Sequence, residues 1–123
     1  MMKCQRSLLT ILTATVLCLG GGAVSAAPLQ ALIVTGQNNH NWQASTPILE
    51  QILENSGLFE VDIAKTPPSG GDMSRFQPDF AAYDVVVSDY NGEPWPDSTN
   101  KAFVEYLRSG GGVVIVHAAD NAF

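Results

Sequence analysis

GGGVVIVHAAD, residues 110–120, decides the fold. Three glycines stop whatever precedes them, Val113 to Val116 run apolar and β-branched without interruption, and His117 closes the run. A strand with water on one face alternates apolar and polar residues. An unbroken apolar run suits a strand covered on both faces, as in a parallel sheet between helical layers. Back along the chain, Val85–Ser88 (VVVS) and Ala31–Thr35 (ALIVT) have the same character and turn polar only at their last residue. Phe59–Ala64 (FEVDIA) differs: Phe59, Val61 and Ile63 alternate with Glu60 and Asp62, which places this strand at the sheet edge with one face near water.

Helical segments separate these runs. Thr46 reads as an N-cap, Pro47 as the first helical residue and Gly57 as the stop, with Ile48, Leu49, Ile52 and Leu53 on one face. A second helix starts with Asp97 or Ser98 as cap, turns Phe103, Val104 and Leu107 inward and ends at Gly110–Gly112. Pro78 limits Met73–Tyr83 to short helical turns. With right-handed crossovers, the expected fold is α/β: a three-layer parallel sheet of flavodoxin-like kind with strand order 2-1-3-4. The fourth strand reads as interior, yet nothing that follows can flank it, and an open apolar edge is an aggregation liability. The expectation is therefore an N-terminal fragment whose sheet is completed by a missing C-terminal half or by an oligomeric partner.

A chain of 123 residues holds one domain. Lys3 and Arg6, the apolar Leu8–Leu19, the break at Gly20–Gly22 and the small residues Val24-Ser25-Ala26 read as a signal peptide over residues 1–26, cleaved after Ala26. The expected location is secreted or periplasmic, and the domain proper is residues 27–123. Removing Lys3 and Arg6 takes the formal charge from −6 to −8. Such a surface repels phosphate backbones, so no nucleic-acid partner is expected. Nor is a membrane partner expected after cleavage, since no later apolar run approaches the roughly 20 residues of a span. Both cysteines, Cys4 and Cys18, lie in the leader, which leaves the mature chain without a thiol nucleophile, thiolate metal site or disulfide.

Ligands of open parallel sheets bind outside the carboxyl ends of the strands, near the point where strand order reverses. The segments leaving those ends are Gly36–Trp42 (GQNNHNW), Asp89–Trp95 (DYNGEPW) and His117–Phe123 (HAADNAF), and they hold both histidines and both tryptophans of the chain. His117 stands at a strand-to-helix elbow, and His40 faces it across the switch point. Imidazoles there serve as general acid and base or as metal ligands, with Asp89 to orient them. Trp42 and Trp95 could stack on a pyranose ring, with Asn38, Asn39, Asn91, Glu93, Asp120 and Asn121 bonding its hydroxyls, a lining that suits a neutral carbohydrate. Each has an ordinary structural role as well: a buried or solvent-exposed histidine, a capping aspartate, a packed indole. A divalent metal such as zinc could be held by His40 and His117 with Asp89, Glu93 or Asp120, although no short H-x-E-H-like spacing supports it. One glycine between Thr35 and Trp42 does not make a dinucleotide loop.

LIVTGQNNHNW (residues 32–42), TPILEQILENSGLFEVDI (46–63), YDVVVSDYNGEPWP (83–96) and FVEYLRSGGGVVIVHAADNAF (103–123) together resemble the N-terminal half of a ThuA-like (trehalose utilisation) domain, a branch of the class I glutamine amidotransferase-like fold. The resemblance implies a role in carbohydrate utilisation on trehalose or a related glycoside, and any catalysis is expected to be hydrolysis of a carbohydrate-derived substrate. True amidotransferases carry cysteine at the elbow where this chain has His117, so glutamine hydrolysis is not expected. The alternative is a non-catalytic carbohydrate-binding or interaction module, in which the tryptophans matter and the histidines do not.

Overall fold

A computed structural model describes residues 26–122; apart from Ala26, the leader lies outside the described residues. Four parallel strands, β1 (Leu29–Thr35), β2 (Phe59–Lys65), β3 (Val85–Ser88) and β4 (Gly112–Ile115), form one sheet in the order β2-β1-β3-β4. Leu29 pairs with Phe59 and Thr35 with Lys65, while Val34 lies opposite Ser88 and Ser88 opposite Ile115. The four carboxyl ends therefore share one rim. β1 and β3, the inner pair, bury Ala31–Thr35 and Val86–Ser88, as their continuous apolar sequence requires.

β2 is an edge strand, and its alternation places Glu60 and Asp62 in solvent. β4 departs from its sequence character. It lies at the opposite edge, where Val113, Val114 and Ile115 are 39, 50 and 47% exposed, with no strand beyond it among the described residues. No described helix is long and apolar enough to cross a membrane.

Helix α1 spans Trp42–Asn55 and starts earlier than the Thr46-Pro47 pair predicts. The side chain of Asn41 accepts from the backbone N–H of Ala44 at 3.2 Å and is the actual cap. Pro47 lies inside the helix, past its first turn, so the bond that an N–H at this position would give to Gln43 O is missing. The earlier start also corrects the buried face. Ser45, Thr46, Leu49 and Leu53 form the inward stripe, and Ile48 and Ile52 stay 57 and 61% exposed.

Helix α2 (Asp97–Arg108) has Pro96 at its N-cap position. It buries Thr99 and Tyr106 with Phe103 half-buried between them, whereas Val104 and Leu107 face outward. Thr99 Oγ1 donates to Phe76 O at 2.6 Å and Tyr106 Oη to Gly112 O at 2.7 Å, so hydrogen bonds fix the helix to the crossover and to β4. The crossover holds two 3-10 turns, Met73–Arg75 and Phe80–Ala82, on either side of Pro78.

The main core lies on the face of the sheet opposite α1. Leu32, Val34 and Val86 meet Phe76, Phe80, Tyr90, Trp95 and Tyr106 there. Tyr90 is fully buried and its hydroxyl donates to Glu93 O. Burial, reinforced by the negative charge of Glu93, pushes this phenol from its ordinary 10.0 up to about 12. The fold thus favours the neutral phenol, whose contribution to stability is whole below pH 10 and is lost as pH rises through 12. The denaturant midpoint is expected to fall steeply between those values, and Tyr90→Phe should make the fall shallower. Tyr83 and Tyr106 are also raised by burial and keep part of the slope.

Candidate functional site

Val116 extends the pairing of β4 by donating its N–H to Ser88 O at 2.9 Å, and the chain then turns sharply. His117 makes the turn with φ of 45°, the one left-handed non-glycine among the described residues, and opens the 3-10 turn His117–Asn121. Ala118 and Ala119 pack inward, and the Ala119 N–H returns to Val116 O at 3.0 Å. A strained backbone held by buried alanines thus lifts the imidazole onto the rim.

His40 arrives from the loop after β1, where its N–H donates to Asn38 Oδ1 at 2.9 Å. The two imidazoles meet edge to face with centroids 4.6 Å apart. Around them opens a hollow of about 330 Å³, lined by Asn39, His40, His117, Ala118, Asp120 and Asn121. Five of the residues expected at a site therefore come together here.

The remaining candidates support this hollow or stand away from it. Asp89 is buried and bonds neither imidazole. Its Oδ2 accepts from Ser45 Oγ at 2.6 Å and Thr46 Oγ1 at 3.4 Å, and its Oδ1 accepts from Asn38 Nδ2 at 3.1 Å. Asn38 passes this anchoring to the His40 backbone, so Asp89 acts on His40 at one remove. Asn91 forms a reciprocal pair with Asn39: Asn39 N–H donates to Asn91 Oδ1 at 3.0 Å, and Asn91 Nδ2 to Asn39 Oδ1 at 3.2 Å.

Glu93 turns toward the loop after β2. It accepts from Ser69 Oγ at 2.9 Å and the Gly70 N–H at 2.8 Å, and the backbone donor, then the hydroxyl, holds its carboxyl below the usual range. Trp42 is half-buried at the start of α1, with Lys65 Nζ 4.7 Å from its ring centroid, so one face of the indole is occupied. Trp95 is 4% exposed and packs on Phe76, Phe80, Tyr90 and Phe103 at centroid distances of 5.6 to 5.9 Å; in this position it is a core residue and offers no face to a sugar. No group of three or more His, Cys, Asp or Glu side chains placed to hold a metal ion occurs among the described residues.

Sequence reasoning passed over Gln37, which ties three loops together. Its Oε1 accepts from the Glu93 N–H at 2.9 Å, its Nε2 donates to Pro67 O at 2.8 Å, and its carbonyl accepts from the Asn91 N–H at 3.1 Å. The one hint in sequence is its place directly after Gly36, at the end of a buried run. Thr35 and Thr46, whose hydroxyls lie 2.8 Å apart, are a second missed pair, joining β1 to α1 beside Asp89.

A four-stranded parallel α/β sheet in the order β2-β1-β3-β4, with a left-handed histidine at the turn after its fourth strand, is of flavodoxin-like kind. The family model for trehalose utilisation, ThuA, matches residues 30–123, and the chain belongs to this family. It is similar to a crystal structure of a ThuA-like protein from Parabacteroides merdae ATCC 43184, with 60% identity and a TM-score of 0.77. The match covers 79% of this chain and 35% of the other, so this chain spans about a third of the length of that relative. No curated protein matches.

Proposed function

We propose that this ThuA domain binds a neutral carbohydrate, trehalose or a related glycoside, and processes it at the His40–His117 hollow. The observation that carries the reading is the edge-to-face contact of two imidazoles at 4.6 Å in a hollow lined with amides and a carboxylate. Asn39, Asn121 and Asp120 are suited to hydroxyl groups, and a neutral ligand avoids the repulsion that an anion would meet from Asp120. A pair of imidazoles can divide the work of acid and base, one donating a proton as the other accepts one. Export through the leader, with cleavage after Ala26, belongs to the same reading.

His117→Asn tests it, because asparagine tolerates the left-handed backbone and the fold is kept. Turnover of trehalose or a related glycoside is expected to fall ~100-fold or more in His117→Asn and in His40→Ala, in line with general acid–base contributions. Sugar binding, followed by calorimetry, should change little. Unchanged turnover in both variants would remove the imidazoles from the reaction. The amide-rich lining also favours a binding module without catalysis, and in that case Trp42→Ala weakens sugar binding while both histidine variants bind as before.

A further inference from the structure

Asn91 is followed by a glycine, alone among the seven asparagines of the chain. Packing demands that glycine. A Cβ at position 92 would run into Cβ and Oε1 of Gln37 and stand 2.8 Å from Tyr90 Oη, so no side chain fits where Gln37 ties the loops together. The backbone N–H groups on either side are engaged: Asn91 N–H donates to Gln37 O at 3.1 Å, and Glu93 N–H to Gln37 Oε1 at 2.9 Å. Between them, the Gly92 N–H makes no hydrogen bond to any described residue. An uncommitted backbone nitrogen, with no side chain beside it, therefore follows a half-buried carboxamide that water can reach.

We propose that Asn91 is a modification site, converted by water alone to aspartate and isoaspartate, and that the conversion alters one wall of the imidazole hollow. The Gly92 nitrogen attacks Cγ of Asn91, its proton and the Nδ2 amino group leave together as ammonia, and water opens the resulting cyclic imide at either carbonyl. One opening restores the main chain with an aspartate; the other routes the main chain through the former side chain as isoaspartate. The remaining asparagines precede residues whose Cβ hinders this attack, and Asn55 and Asn100 also lie in helices. Asn39, which lines the hollow, senses the product, because it is paired with Asn91 through both amides. An aspartate has no donor to replace the Nδ2 bond to Asn39 Oδ1 at 3.2 Å, so an acceptor then faces an acceptor. Asn39 regains the bond only by turning its amide over, which exchanges donor for acceptor on its opposite side. Isoaspartate lengthens the main chain between the two positions held by Gln37, so both of those bonds cannot survive. None of this depends on a reaction at His117.

The full chain, aged in mildly alkaline buffer and mapped by peptide mass spectrometry, tests the assignment. Residue 91 is expected to gain acid, as aspartate and isoaspartate, before any other asparagine does, and Asn91→Gln should abolish the signal. Asn39→Ala removes one of the two bonds that hold the Asn91 carboxamide and should speed its conversion roughly 2- to 10-fold, the worth of one hydrogen bond. Asn39 is exposed, so the variant should keep the wild-type circular dichroism, and an unchanged rate at Asn55 in the same sample excludes general loosening of the fold. Asn91→Asp, the product made directly, should shift the side-chain amide resonances of Asn39, and Asn55→Asp should not. The proposal is overturned if another asparagine converts first, if Asn39→Ala leaves the rate at Asn91 unchanged, or if Asn91→Asp leaves the Asn39 amide unshifted.

Discussion

Gly36→Ala is expected to destabilise the fold by about 3–5 kcal/mol, a large part of the roughly 5–15 kcal/mol that a domain possesses. Gly36 leaves β1 with φ of +119°, where an L side chain is strained at about 1–3 kcal/mol. An added Cβ would also stand 2.5 Å from Thr66 Oγ1, 2.7 Å from Thr66 N and 2.8 Å from Thr66 O. The hydroxyl can rotate away, but the backbone cannot, because the Thr66 N–H donates to Thr35 O at 2.9 Å and continues the β1–β2 pairing. Relief requires that pairing to open at the base of the loop that carries Gln37 and His40. Gly57, with φ of +70° and nothing within 4 Å of an added Cβ, isolates the backbone cost, and Gly57→Ala should lose only about 1 kcal/mol. Guanidinium denaturation of the two variants measures the difference. A loss below about 1 kcal/mol for Gly36→Ala would mean that the loop re-routes with little resistance.

Asp89→Ala should cost about 2–4 kcal/mol, since it strips a buried acceptor from three donors at once. Ser45 Oγ, Thr46 Oγ1 and Asn38 Nδ2 all point at this carboxylate, and the Asp89 N–H binds Val34 O at 2.9 Å. Asn38 has a further bond to Asp89 O at 3.3 Å, which the variant keeps. Asp89→Asn preserves shape but aims an amide N–H₂ or a weaker acceptor at the same hydroxyls, and should recover only part of the loss. Because Asn38 Oδ1 accepts the His40 N–H, the His40 ring resonances should shift in Asp89→Ala even where the variant is folded. Asn38→Ala should produce a similar shift. The stability cost of the double variant should fall short of the sum of the two single costs, because they share a bond. A double-variant cost equal to that sum would break the proposed chain from Asp89 to His40.

The sheet was legible because unbroken apolar runs have few homes in a soluble α/β domain. The alternation in Phe59–Ala64 identified β2 as an edge, and β2-β1-β3-β4 followed from that edge, the three continuously apolar strands and right-handed crossovers together. The start of α1 was misplaced for a local reason: Thr46-Pro47 has the form of a helix entry, but Asn41 caps first, and the hydroxyl of Thr46 is drawn inward to Thr35 and Asp89. The convergence of His40 on His117 could be foreseen, since both follow strand ends that flank the switch point. What the side chains of the rim do could not, because their partners are distant in the chain. Glu93 is taken by Ser69 and Gly70, and Asp89 by residues 44 and 43 positions earlier. Trp95 shows the same limit: a loop sequence rich in Pro and Gly reads as exposed, yet it folds its indole under α2.

The contrasting surroundings of the two tryptophans give the protein an internal optical readout. Trp95, walled by four aromatic rings, should emit at short wavelength and shift red only when the core opens. Trp42, at the rim beneath the Lys65 ammonium, should respond to events at that rim. A Trp42→Phe variant then reports global unfolding alone. The difference between its spectrum and that of the wild type is a local signal at the start of α1, available without any attached dye.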